Sequence, residues 1–250
     1  MPTDQDAKAI WRLPNADLSL PRHEVHVWRA LLDQPHSLTA FLASLAPDEQ
    51  ERAARFLFQK DRQRFIAARG LLRAILSRYL NVSPYDLSFG YSAHGKPFLA
   101  SGPCGDVRFN VSHSHGLALF AFARERDLGI DVEQMRLEVA GQRIAERFFS
   151  VGEVTALRGL PADQQTEAFF NCWTRKEAYI KARGEGLSLP LDQFDVSLAP
   201  GQPPALLRTG MAADEASRWS MIELAPAAVY KAALVVEGHD WQLRCWQWPD

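Results

Sequence analysis

"VRFNVSHSHGLALFAFARERDLGIDVE", residues 107–133, sets the organisation of the chain. "VRFNVS", "LALFAFA" and "LGIDV" each have the length and apolar content of a strand, with polar connections between them. The middle segment is apolar enough to be a central strand. Upstream, "EVHVWRALL" alternates with Val25 and Val27 on one side, as a strand does. "APDEQERAARFLF" opens on Pro47 and two acids, a helix start. "DRQRFIAARGLLRAILSRYL" puts Phe65, Leu72, Ile75, Leu76 and Tyr79 near one helical face. "NVSPYD" then turns the chain into a short strand, "LSFGY". Downstream, helices are expected over 138–149, 151–159 and 163–183, then strands at "FDVSL", "WSMIEL", "VYKAALVV" and "WQLRCWQW". Helices followed by strands, twice, predict an α+β protein of two similar α/β halves. "ERAARFLF" in one half echoes "IAERFFS" in the other, which fits an internal duplication. The expected division is a polar extension over 1–20, a first half over 21–110 and a second over 111–250.

The 250 residues are 47% hydrophobic and 23% charged, a globular composition. A net charge of -2 gives no general case for nucleic acid or a membrane surface. No apolar run approaches the ~18 residues of a membrane span. The acidic, proline-marked N-terminus is unlike a secretory signal. Cys104, Cys172 and Cys245 are odd in number and lack CxxC spacing, which fits a reducing cytoplasm better than a disulfide framework or zinc. The charge is uneven: residues 52–78 carry +7, leaving -9 on the remainder. That segment is either a landing surface for an anionic partner or an arginine-rich helix face.

Four short motifs bear chemistry. In "GIDVE", Asp131 and Glu133 share one face of a strand while Ile130 and Val132 point into the core. Such a pair either holds a hard divalent cation or lies solvated at a strand end. "FNVSHSHG" offers Ser112, His113, Ser114 and His115, a phosphate-binding group or a polar turn; no third nitrogen or sulfur ligand supports zinc. "HGKP" sets Lys96 on a glycine-proline loop, although no Walker loop exists in the chain. "WTRKEAYIKARGEG", residues 173–186, aligns Trp173, Glu177 and Lys181 on one helical face. It is either a decorated helix or an acid and an amine set to handle a substrate.

In the order GKP, FNVSHS, GIDVE, "RFFSVGE" and "WTRKEAYIKARGEGLSLPLDQFDV", residues 95–198 closely resemble the Sfp-type 4'-phosphopantetheinyl transferases. The resemblance implies two similar α/β halves with the active site at their junction. It implies an enzyme of the holo-acyl-carrier-protein synthase type. Such an enzyme transfers 4'-phosphopantetheine from coenzyme A to a serine of an apo acyl or peptidyl carrier protein and leaves adenosine 3',5'-bisphosphate. Asp131, Glu133 and Glu177 resemble the magnesium ligands, and Lys181 the lysine on the coenzyme A phosphates. His113 with Ser112 resembles the 3'-phosphate contact, Gly95 and Lys96 the nucleotide loop, and Lys60 and Arg52 further basic contacts. Glu177 is the first choice of base for the serine proton, and Glu153 the second. The implied partners are coenzyme A and an acidic carrier protein, without nucleic acid or membrane, and the chain is expected to be a cytoplasmic monomer. Arg62, Arg69 and Arg73 are the arginines expected to meet the carrier. His115 before Gly116 and His94 before Gly95 depart from the family pattern, and no role is carried over to Glu49 or Phe65. A magnesium-dependent pyrophosphohydrolase and a coenzyme A-binding module without turnover are the alternatives.

Overall fold

A computed structural model describes residues 11–15, 18–34, 37–100, 106–136, 141–210 and 214–249. Cys104, the opening of the helix expected at 138 and much of the 1–20 extension lie outside them. The first half contains β1 (Glu24–Leu31), α1 (Leu38–Ser44), α2 (Pro47–Ala54), α3 (Gln59–Leu80), β2 (Phe89–Tyr91), β3 (Pro97–Leu99), β4 (Val107–Ser114) and β5 (Leu117–Arg124). The second contains β6 (Leu128–Gln134), α4 (Gln142–Phe148), α5 (Val151–Gly159), α6 (Ala162–Arg183), β7 (Phe194–Val196), β8 (Leu206–Thr209), β9 (Trp219–Leu224) and β10 (Tyr230–Glu237). A last strand, β11 (Gln242–Gln247), follows. No helix among the described residues is long and apolar enough to cross a membrane.

The duplication is visible in the strand order. One sheet runs β11-β1-β5-β4 and the other β6-β10-β9. Without β11, each sheet carries its half's first strand beside its last, with the third strand outside. Each half also has a 22-residue helix and a two-stranded hairpin, β2-β3 or β7-β8. Both long helices stop on a left-handed residue, Asn81 (φ 53°) and Gly184 (φ 70°), conformations that asparagine and glycine tolerate best. The division expected at residue 110 is corrected by this order. It would cut β4, whereas β4 and β5 complete the first sheet and the second half starts with β6. The short loops after β4 and β5 hid the boundary, since nothing in composition separates them.

The layers stack as α3, first sheet, second sheet, α6. Ala118, Phe120 and Phe122 of β5 pack on α3 through Leu71, Leu72 and Ile75. Leu117, Leu119 and Ala121, on its other face, meet Ile130, Val132 and Leu234 of the second sheet. β5 is thus buried on both faces, as its apolar sequence requires. On the outer face of the second sheet, Ala233 and Val235 pack against Tyr179 and Ala178 of α6.

The basic segment is less open than its sequence implied. Glu49, 3% exposed, accepts from Arg69 Nε and from Arg73 Nε at 2.8 Å, so both arginines point inward. Arg64 Nε donates to Asp33 at 2.7 Å. This corrects the assignment of Arg69 and Arg73 to a docking surface: a carboxylate buried under α3 needs cations, and these supply them. Arg52, Arg55, Lys60 and Arg62 remain exposed.

Candidate functional site

The site is built where β6 passes under α6 and beside β4. Alternation on β6 sends Leu128, Ile130 and Val132 into the space between the sheets, leaving Gly129, Asp131 and Glu133 facing α6. A Cβ on Gly129 would lie 2.1 Å from the Ala178 carbonyl oxygen, so glycine is what lets the helix cross this closely. At that crossing α6 presents Glu177 and Lys181, one turn apart, to the two acids. Lys181 Nζ donates to Asp131 Oδ1 at 2.6 Å and to Ser112 Oγ at 3.1 Å.

β4 and β6 meet as edge strands of different sheets, and side chains take the place of a ladder. The Ile130, Val132 and Gln134 amides donate to Asn110 Oδ1 (2.9 Å), Ser112 Oγ (3.3 Å) and Ser114 Oγ (3.1 Å). Ser112 Oγ donates onward to Asp131 Oδ1 at 2.8 Å, and Ser114 Oγ to Glu133 Oε2 at 2.7 Å. Every second residue of one strand therefore fixes the amides of the other, and two of them also aim its carboxylates. This bracing role of Asn110 and Ser114 differs from the phosphate-binding or turn role that the sequence offers for Ser114. The signal in the sequence is the polar residues Asn110, Ser112 and Ser114 at i, i+2 and i+4 of one strand.

The electrostatics are those of crowded acids. Burial, offset in part by the hydrogen bond from Ser114, and then the charge of Asp131 push the Glu133 carboxyl above its ordinary value. Burial, followed by Asp131, pushes Glu177 up as well, against the pull of Lys181. Asp131 Oδ2 is buried without a hydrogen-bond partner. Among the described residues, no three His, Cys, Asp or Glu side chains stand already gathered around one point. The donor set nevertheless fits a hard divalent cation. It consists of carboxylate oxygens only, one of them orphaned, and their mutual repulsion is what such an ion relieves.

The other expected residues divide. His113 and Ser112 face opposite sides of β4, so they do not form one contact: Ser112 is committed to Asp131, and His113 turns toward α3. Although its side chain is solvent-accessible, its pKa is lowered by partial desolvation, then by the Lys181 and Arg64 cations, with Asp131 opposing. His115 (φ 53°) lies in the turn after β4 and lines a cavity of ≈ 440 Å³ with Asp33, Arg64, Gln134 and Tyr230. Lys60 stands near that cavity, its Nζ 3.7 Å from Asp33. Arg64 was passed over in the sequence, where it is one cation among eight. Gly95 (φ 82°) turns the loop that holds Lys96. Lys96 Nζ reaches Leu128 O (3.0 Å) and Ala182 O (3.2 Å), tying β6 to the end of α6, and burial lowers its pKa to about 8. Beside it lies a second cavity of ≈ 230 Å³, lined also by Phe98, Arg108, Asp127 and Arg183.

Glu153 does not join the cluster, which withdraws it as the second choice of base. It is 4% exposed and caps α5, with Oε2 accepting from the Ser150 amide (2.9 Å) and Oε1 from the Val196 amide (2.8 Å). Lys176 Nζ lies 2.7 Å from it and donates to the Leu191 and Phe194 carbonyls. "RFFSVGE" and the lysine of "WTRKE" are thus parts of one buried brace. Its acid is fully occupied by donors.

Most of the chain also matches known proteins. Residues 127–235 match the family described as "4'-phosphopantetheinyl transferase superfamily", and residues 27–125 match "4'-phosphopantetheinyl transferase, N-terminal". The two matches meet where β5 gives way to β6. The chain is 42% identical over 240 residues to the 4'-phosphopantetheinyl transferase HetI of Nostoc sp., covering 95% of this chain and 98% of that one. It is 33% identical to a 4'-phosphopantetheinyl transferase of Bacillus subtilis, over 76% and 88% of the two chains. It is 36% identical to the 4'-phosphopantetheinyl transferase Sfp of the same species, over 63% and 68%.

Proposed function

This chain belongs to the 4'-phosphopantetheinyl transferase superfamily, and from that premise we propose that it transfers 4'-phosphopantetheine from coenzyme A to a serine of an apo carrier protein, as a holo-acyl-carrier-protein synthase does. One observation supports the placement of this chemistry: Asp131, Glu133, Glu177 and Lys181 converge at the seam of the two halves, with the Asp131 Oδ2 atom buried and unpartnered.

In the proposed reaction the serine oxygen attacks the phosphorus that bears the pantetheine. A new serine O–P bond forms as the bridging P–O bond of the pyrophosphate breaks, and adenosine 3',5'-bisphosphate departs. Magnesium, held by Asp131, Glu133 and Glu177, would supply neutralisation of charge on the phosphates. Glu177 is the acid best suited to take the serine proton. No described residue hydrogen-bonds its carboxylate, whereas Asp131 and Glu133 accept from serines. Lys181, which donates to both Asp131 and Ser112, is placed to meet a phosphate oxygen. Lys96 and Arg108 would meet the nucleotide end in the cavity beside the Gly95 loop, and His113 with Arg64 the 3'-phosphate. Lys60 remains a peripheral cation.

Incubation with coenzyme A, magnesium and an apo carrier tests the reading by mass spectrometry. The expected result is a carrier heavier by one phosphopantetheine, and loss of roughly 100-fold or more in rate for Asp131→Ala with an unchanged circular dichroism spectrum. Nucleotide release with an unmodified carrier would instead mark a pyrophosphohydrolase. Binding without turnover would mark a non-catalytic module.

A further inference from the structure

The connection between α2 and α3 exposes three consecutive large apolar residues: Phe56 is 37% exposed, Leu57 93% and Phe58 70%. Leu13, Tyr85, Val151 and Leu207 are also well exposed, but among the described residues no other three in succession are. A single exposed leucine is unremarkable on a soluble surface, whereas a run of three is a liability unless something covers it. Phe56 folds back onto Phe65, ring centroids 5.3 Å apart, with the Arg52 guanidinium 5.3 Å from the Phe65 ring centre. That packing holds the connection in place and leaves Leu57 and Phe58 pointing outward.

The surroundings define what could cover them. Exposed cations flank the run on both sides, Arg52 and Arg55 before it and Lys60 and Arg62 after it. The nearby carboxylates are Glu51, 3.6 Å from Arg55, Asp33, 3.7 Å from Lys60 and shared with Arg64, and Asp61, so the cations are still in excess. The run also leads directly to the site. One turn beyond Lys60, Arg64 lines the cavity that His115 and Gln134 share, and Gln134 follows Glu133.

We propose that Leu57 and Phe58, ringed by Arg52, Arg55, Lys60 and Arg62, form the docking surface for the carrier protein, a small acidic domain that seats an apolar side chain there while its serine enters the cleft. This rests on the transferase reading. It places the carrier on the first half, at the start of α3, rather than along the arginines farther down that helix. The apolar pair supplies the contact that persists in salt, and the cations steer the approach and are screened by it.

The experiment compares Leu57→Ser, Phe58→Ser and Leu57→Asp with the parent and with Leu207→Ser, an exposed leucine on β8. Carrier transfer kinetics are measured, together with equilibrium binding of apo carrier by fluorescence anisotropy. Both serine variants should raise the carrier KM and Kd by ~10-fold while the KM for coenzyme A stays within about twofold. Leu57→Asp should be worse than Leu57→Ser, most of all at low salt, and Leu207→Ser should match the parent. Parental carrier affinity in Leu57→Ser and Phe58→Ser would overturn the surface, and an aspartate no worse than serine would overturn its acidic occupant. A parent that binds carrier without modifying it would fail the transferase reading, while the anisotropy comparison would still decide the surface.

Discussion

The pleat of β4 sends Ser112 toward Asp131 and leaves His113 on the side of Arg64, so in the proposed reaction the two adjacent polar residues would serve different ends of one substrate. His113, solvent-accessible but crowded by protein, has its pKa lowered from 6.5, first by partial desolvation and then by Lys181 and Arg64. It is therefore mostly neutral at pH 7 and gains charge only as pH falls through that lowered value. An imidazolium binds a phosphate far better than a neutral ring does. Coenzyme A should accordingly bind more tightly as pH is lowered from 7.5 toward 6, and His113→Gln should abolish that gain. The substitution should raise the coenzyme A KM by roughly 10-fold, as loss of a hydrogen bond to a charged group does. It should scarcely affect 3'-dephospho-coenzyme A, which lacks the phosphate. Equal effects on both substrates, or a parental pH profile, would assign His113 elsewhere.

The three-rung link between β4 and β6 works at the scale of elements. Asn110 holds an amide only, while Ser112 and Ser114 each hold an amide and a carboxylate. Two losses can therefore be told apart. Asn110→Ala leaves the Ile130 amide unpaired in a buried seam and should cost about 1–3 kcal/mol of stability, read as a lowered Tm. Ser114→Ala sits nearer the open end and frees Glu133. It should weaken magnesium activation about 10–100-fold with little change in Tm, and Ser114→Thr should restore part of it. A magnesium titration of initial rate, paired with calorimetric manganese binding, checks this. If Ser114→Ala kept the parental metal response, contacts other than this hydroxyl would be aiming Glu133.

Across the whole molecule, charge that looks like surface in sequence is divided between scaffold and partner. Arg73 is 1% exposed, donates to Glu49 and to the Pro84 and Leu87 carbonyls, and so binds α2, α3 and the turn that follows. Arg73→Ala should leave Glu49 half-neutralised and should destabilise the fold by about 3–5 kcal/mol. Arg62→Glu, on the exposed flank, should leave Tm unchanged. Thermal unfolding of the two variants separates the roles, and equal Tm values would mean that the buried network contributes little. The return of β11 to pair in parallel with β1 is a second whole-molecule feature. It makes the first sheet depend on the end of the chain, so the halves are similar without being independent.

Periodicity determined most of the elements. Alternating and helical apolar patterns are local, and they placed 219–224 and 151–159 to the residue. The shared faces of Asp131 with Glu133 and of Glu177 with Lys181 were also legible, because a strand puts i and i+2 on one face and a helix does the same for i and i+4. Tertiary structure alone decided three things. It gave Glu153 to the Ser150 amide and Lys176, because a carboxylate is claimed by whichever donors fold around it. It turned Arg69 and Arg73 inward, because a helix's polar face is exposed only if no buried acid lies under it. It moved the boundary of the halves from 110 to the junction of β5 and β6, because sheet membership depends on hydrogen-bond partners far away in the chain, which no local pattern records.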